Sequence, residues 1–294
     1  MKRRVAFLDV FAERPLAGNG LAVVDDADGV SDEVMLGFAI ETRLSETTFV
    51  QGAGAEGADY RNRIWTPGGE LPFAGHPSLG TAVAVARWRG VAEASLVQET
   101  GAGLQPVEVR RLERGERGAA AELWWASMLQ APTEWGPELD PAAAMAAHGL
   151  EPGDAHPEWA PQVVSTGVPH AIVPLASGEA LARVAPDYPA IDELLAPSGA
   201  ITAYLCRLDP GGEAVRARAF SRIVELGEDP ATGSAAGPLC AYAHARGGPS
   251  RLTISQGAEM GRPSTLEAGI EGELVRVSGS VAPLIEGSVE LPGE

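Results

Sequence analysis

Two short glycine-rich strings, Phe73-Ala74-Gly75-His76-Pro77-Ser78-Leu79-Gly80 and Asp229-Pro230-Ala231-Thr232-Gly233-Ser234-Ala235-Ala236-Gly237, each open a stretch of small apolar residues that reads as a buried helix. A helix built largely of Gly, Ala and Val has no polar face to show to water, so other elements have to be wrapped around it. Two such stretches in 294 residues point to a duplicated arrangement of two middling units with a shared site. The N–H groups of a helix's first turn lack intrahelical partners and lie at the positive end of its dipole, so each string offers a place for a substrate anion. Beside these strings stand His76, Asp229 and Ser234, and a third string adds Glu46.

The rest of the pattern supplies the wrapping. In the first half, residues 5–11, 21–24, 47–51 and 61–65 carry the β-branched, aromatic and apolar residues that strands prefer. Ser31-Asp32-Glu33 starts a helix with a hydroxyl cap and first-turn acids, running to about Thr42. Pro77 suits the first helical position of a core helix that continues through residues 79–88. The second half repeats the scheme, with strands expected at 162–165, 170–174, 201–207, 214–220, 252–255 and 274–277 and an apolar helix from Ser234 to about Ala245. Gln98 lies 22 residues after His76 and Gln256 lies 22 after Ser234, a spacing that suggests two helices keeping step. Many short strands around one apolar helix in each half favour an α+β architecture over a wound parallel sheet. The boundary is expected between about Arg114 and Pro141, with a solvated loop at 114–118 and a short exposed helix at 141–148.

Charge and cysteine content exclude several classes of function. With 40 acidic against 22 basic residues the net charge is -18, which repels nucleic acid and anionic lipid. A small anionic substrate remains compatible, because paired helix N-termini act at contact distance while the global charge is screened over roughly 8–10 Å. The apolar run after Met1-Lys2-Arg3-Arg4 is broken by Asp9 and Glu13, so no secretion signal is read, and no segment has the length of a membrane span. The expectation is a cytoplasmic, soluble protein. Cys206 and Cys240 have no metal-site spacing and read as buried free thiols.

Each candidate residue also has a plain structural reading. Glu46 could be an exposed carboxylate at a strand entry, and Asp229 and Ser234 could serve their helix's dipole and first turn. His76 is the odd choice at a helix mouth, where Ser, Thr, Asp or Asn would cap better. Ser234 sits in Gly-Ser-Ala-Ala-Gly, which is not a hydrolase nucleophile elbow. His170 could approach the site or merely end a turn, and His148, His156 and His244 read as surface positions.

Taken together, Asp9-Val10-Phe11 with Pro15-Leu16-Ala17-Gly18-Asn19, the segments 44–50, 70–80 and 228–239, and Gln256-Gly257 with Gly261-Arg262-Pro263-Ser264 resemble the PhzF-like isomerases of phenazine biosynthesis. These share a fold with diaminopimelate epimerase. The resemblance implies an α+β fold of two pseudo-symmetric units, each a β-barrel-like sheet around a central helix, with the site in the cleft between them. It places the first unit at residues 1–125, completed by a strand at about 284–294, and the second at 126–283. It implies a homodimer without cofactor or metal, acting on a small carboxylate-bearing molecule. The family's catalytic carboxylate falls on Glu46, and its supporting residues fall on His76, Asp229 and Ser234. Asn19 and the amides near Gly75 and Gly233 would bind substrate. Where the epimerase uses two cysteines this chain has Ala74 and Ala231, so an isomerisation by Glu46, its pKa raised by partial burial, is expected. Gly20 departs from the proline common in the family. The alternatives are a cofactor-independent amino-acid racemase or epimerase and a catalytically silent small-molecule binding protein.

Overall fold

A computed structural model of the chain describes residues 1–113, 115–116, 121–208, 211–221 and 227–293. The chain forms two compact units, Met1–Met128 with Ser278–Glu294, and Leu129–Val277.

The first unit contains β1 (Lys2–Val10), β2 (Asn19–Val24), α1 (Asp32–Thr42), β3 (Glu46–Gln51), β4 (Tyr60–Thr66), β5 (Gly69–Leu71), α2 (Gly75–Trp88), β6 (Glu93–Thr100), β7 (Gly103–Arg111) and β8 (Trp124–Leu129). Helix α1 starts as its sequence dictates, with Ser31 Oγ accepting from Val34 N and Asp32 and Glu33 in the first turn. Its Met35 and Ala39 are buried with Val24, Phe49 and Trp65. Helix α2 is buried from Gly75 to Ala86. Its small residues let strands close in: a Cβ on Gly80 would lie 2.5 Å from Leu21 Cδ2 and 2.8 Å from Val10 Cγ2, which no larger residue could accept.

The second unit is laid out on the same plan. It holds β9 (Glu134–Glu138), α3 (Pro141–Ala147), β10 (Gln162–Ser165), β11 (Pro169–Pro174), α4 (Gly178–Arg183), α5 (Tyr188–Leu195), β12 (Ala203–Leu208), β13 (Ala214–Phe220), β14 (Glu228–Asp229), α6 (Gly233–Ala245), β15 (Arg251–Gln256) and β16 (Ser264–Glu271). A final strand, β17 (Leu274–Glu290), begins here and ends in the first unit.

The repeat is visible in strand register. β2 pairs parallel with β3, Leu21 opposite Glu46, just as β11 pairs parallel with β12, Ala171 opposite Ala203. β3 then pairs antiparallel with β4, as β12 does with β13. Each unit also closes its hairpin with a bidentate Arg–Glu pair, Arg63 to Glu70 and Arg218 to Glu228. In both, the guanidinium lies over the aromatic ring two residues on, Trp65 at 5.3 Å and Phe220 at 4.9 Å. The α+β, diaminopimelate epimerase-like architecture of two strand-wrapped helices is the one the sequence implied.

Several local expectations need correction. Helix α2 begins at Gly75 behind Ala74, so Pro77 is its third residue, where a missing N–H is still harmless because first-turn amides have no intrahelical acceptor. Helix α3 is exposed on one face only: Ala144, Met145 and Ala147 are buried with Val163, Leu205 and Phe220. The strand expected at 274–277 runs on to Glu290 despite Pro283. Pro283 stands opposite Leu8, at a register shift between Phe7 and Leu8, where the ladder is already interrupted. The β6–β7 hairpin and β8 went unread, and the loop expected at 114–118 falls partly outside the described residues.

Helix α6 offers a test of how tightly the cores are filled. A Cβ on Gly237 would fall 1.8 Å from Gln130 Oε1, and that buried amide is tethered, donating to Gly233 O at 2.9 Å and accepting from Thr166 Oγ1 at 2.6 Å. Gly237→Ala should therefore lower stability by about 1–3 kcal/mol, against the helix propensity it gains. Urea unfolding measures this; an unchanged or raised midpoint would contradict the packing argument.

Candidate active site

In the first unit the helix mouth carries a small polar cluster. Glu46 is the first residue of β3, and pairing with β2 fixes it beside Leu21. Its side chain is 15% exposed, and Oε2 stands 3.5 Å from Nε2 of His76, the second residue of α2. Asn19, the first residue of β2, places Nδ2 3.4 Å from His76 Nδ1 and accepts Ser45 Oγ–H on Oδ1 at 3.0 Å. Ser45 precedes Glu46 in the chain, so one amide ties the entry of β3 to the mouth of α2. With Asn19 Oδ1 taken by the serine, its Nδ2–H is the group that faces His76 Nδ1, while Nε2 is the ring nitrogen turned toward Glu46.

Burial pushes the His76 pKa down to about 3, against a smaller opposing pull from a hydrogen bond to the Gly20 backbone. The imidazole is thus neutral at pH 7. The Glu46–His76 approach is not an ion pair there, and at 3.5 Å it is longer than a good hydrogen bond.

The second unit has a counterpart cluster. Ser234 is the second residue of α6, and His170, the second residue of β11, holds its Nε2 3.0 Å from Ser234 Oγ. His170 is fully buried, and burial pushes its pKa to about 3. Asp229 ends β14, where Oδ2 accepts from Thr232 Oγ1 at 2.6 Å. Gln256, at the end of β15, donates to Asp229 O at 2.7 Å and Thr232 Oγ1 at 3.0 Å. Its Oε1 accepts from Tyr204 Oη at 2.9 Å and Thr232 N at 3.2 Å. Thr232 occupies the cap position of α6, yet its hydroxyl is turned to Asp229 and makes no capping bond. Ala74 likewise gives α2 no side-chain cap. Gly75 and Gly233 are the first residues of two helices whose cap residues, Ala74 and Thr232, make no side-chain capping bond.

The structure brings Glu46, His76 and Asn19 together in the first unit and sets Asp229 and Ser234 at the mouth of α6 in the second, where the sequence reading groups them in one shared site. The sequence reading missed the clamps, Ser45, Thr232 and Gln256. A hydroxyl directly before the glycine that opens α6 was the available signal for Thr232. The matched spacing of Gln98 and Gln256 does not carry equivalent jobs, because Gln98 accepts from Asn62 Nδ2 at 2.8 Å and does not serve a helix mouth. His148, read as a surface residue, is fully buried with Nδ1 2.7 Å from Ala144 O. Cys206 and Cys240 are buried thiols with pKa values pushed up to about 12. Among the described residues no three His, Cys, Asp or Glu stand where they could hold a metal ion, and no helix is long and apolar enough to cross a membrane.

With this geometry in view, comparison with known proteins is decisive for family. Residues 8–287 match the phenazine biosynthesis-like protein family. The chain belongs to that family. It is 39% identical over 296 residues to a trans-2,3-dihydro-3-hydroxyanthranilate isomerase of Pseudomonas aeruginosa, covering 98% of this chain and 99% of the relative. A Bacillus anthracis phenazine biosynthesis protein of the PhzF family superposes with a TM-score of 0.83 at 27% identity, covering 99% of each chain. A probable proline racemase from Agrobacterium radiobacter, 15% identical with a TM-score of 0.66 and covering 99% of this chain and 93% of the racemase, shares the fold. This family member is an isomerase by enzyme class.

The buried histidines set a pH dependence of stability. For His76 and His170 the folded pKa of about 3 lies below the unfolded value near 6.5, so the unfolded chain takes up their protons first as pH falls. Their contribution is complete above about pH 6.5 and is lost as pH drops toward 3, with a slope approaching about 1.4 kcal/mol per pH unit for each. Urea midpoints should fall steadily from pH 7 to pH 4.5, and His76→Asn should flatten part of that fall. A pH-independent midpoint over this range would contradict the assignment of neutral, desolvated rings.

Proposed function

We propose that this protein is a cofactor-free isomerase that moves a proton between two carbons of a small carboxylate-bearing substrate resembling trans-2,3-dihydro-3-hydroxyanthranilate, with Glu46 as the proton carrier. The observation that carries the reading is a single, mostly buried carboxylate held at the mouth of α2 beside a neutral imidazole. Glu46 takes a proton from one carbon, the C–H electron pair moves into a shifted double bond, and the same carboxyl returns the proton to another carbon of the same face. His76, kept neutral by burial and oriented by Asn19, donates Nε2–H toward Glu46 or the substrate. Asp229 and Ser234 hold substrate polar groups, and the opening amides of α2 and α6 at Gly75 and Gly233 receive its carboxylate.

Two features argue against a two-thiol racemase. Alanines stand at both positions where the epimerase carries cysteine, Ala74 before the first turn of α2 and fully buried Ala231 before α6. The chain's two cysteines are buried, with pKa values far too high for a thiolate at neutral pH. We further propose a cytoplasmic homodimer with no nucleic-acid or membrane partner, in keeping with the net charge of -18.

Replacing Glu46 by Gln keeps shape and removes the titrating group. Turnover of trans-2,3-dihydro-3-hydroxyanthranilate should drop by at least about 10²- to 10⁴-fold while substrate binding, read by calorimetry, stays within a few-fold. Wild-type turnover by the Gln variant would remove Glu46 from the mechanism.

A further inference from the structure

His170 has no role in the reaction as proposed above, yet it is fully buried and spends its one side-chain hydrogen bond on Ser234. Among the described residues its other nitrogen, Nδ1, has no hydrogen-bond partner. A neutral imidazole carries one N–H and one bare lone pair, so two arrangements are available. In the first, Ser234 donates to Nε2 and the proton sits on Nδ1, an N–H buried without an acceptor. In the second, the proton sits on Nε2, which donates to Ser234 Oγ, and only a lone pair is left unmet at Nδ1. Orphaned buried N–H groups are the rarer of the two in folded proteins, which favours the second.

The surroundings of Ser234 agree. It is the second residue of α6, and among the described residues its hydroxyl bonds His170 alone, so with the ring proton on Nε2 the hydroxyl hydrogen is free to turn outward. Ser78, near the mouth of α2, instead turns its hydroxyl back to Ala74 O at 2.7 Å, a bond Ser234 does not make.

We infer that His170 is a positioning residue that donates Nε2–H to Ser234 Oγ and thereby fixes the serine hydroxyl as an outward hydrogen-bond donor to the substrate's anionic group. This rests on the reading of Ser234 as a substrate-contacting residue. A donor hydroxyl complements the positive end of α6, whereas a hydroxyl spent on an imidazole acceptor would present only lone pairs to an anion.

The direct test is the tautomer. In ¹⁵N-histidine-labelled wild-type protein, the His170 ring, assigned by its loss in His170→Gln, should show a protonated Nε2 and a pyridine-type Nδ1 from pH 8 down to pH 5. A protonated Nδ1 would overturn the inference whatever the substrate. In turnover of trans-2,3-dihydro-3-hydroxyanthranilate, His170→Leu should lower kcat/KM by about tenfold, the scale of one lost hydrogen bond. His170→Gln, whose amide can still donate, should recover most of that loss. In a Ser234→Ala background the Leu substitution should cost little more, since the two residues act as one unit; an equal cost in both backgrounds would also overturn the inference. A wild-type protein with protonated Nε2 that fails to convert this compound would instead count against the proposed function alone.

Discussion

Everything in this chain is organised by two helices that cannot face water. Helices α2 and α6 are rich in Gly and Ala and are buried over most of their length, so strands pack close to their backbones. Glycines at the contact points make that approach possible, Gly80 under Leu21 and Val10 and Gly237 under Gln130. The consequence for chemistry is positional. Because each helix is clamped along its sides, its first turn is rigid, and a side chain two residues in, His76 or Ser234, is delivered to a fixed place.

Burial also decides what these side chains can do. A histidine in water would be partly cationic near neutrality, but His76 and His170 are desolvated and stay neutral, so each acts as an oriented donor and acceptor and not as a charge. The charge at the first helix mouth is left to Glu46. The polar clamps, Asn19 with Ser45 and Gln256 with Thr232 and Asp229, tie neighbouring segments to both helix mouths.

Much of this was legible because it is written in local rules. Ser31 announced α1 through its cap and first-turn acids, and the two glycine-rich strings announced the core helices through composition alone. The histidine and the acid and serine of the second string stood next to those signals, whereas Glu46, in a string of its own, was singled out by the family resemblance. What escaped depends on tertiary context. Pro283 and its flanking glycines hid the length of β17, because only the offset between Phe7 and Leu8 makes room for a proline in the ladder. His148 looked superficial because nothing in its neighbours foretells that α3 packs its face into the core of the second unit. His170 could not be chosen over a turn residue, since its bond to Ser234 joins positions 64 residues apart.

The account stands or falls on one carboxyl group both taking and returning the proton. The most direct measurement is to run trans-2,3-dihydro-3-hydroxyanthranilate conversion in deuterium oxide and locate the label by NMR while following the chromophore. One deuterium at most, on the carbon that receives the proton, with the absorbance shift of a moved double bond and a single stereochemical outcome, is the result the account predicts. Deuterium on the α-carbon with both stereoisomers present and the chromophore unchanged would contradict it and identify a two-base racemisation.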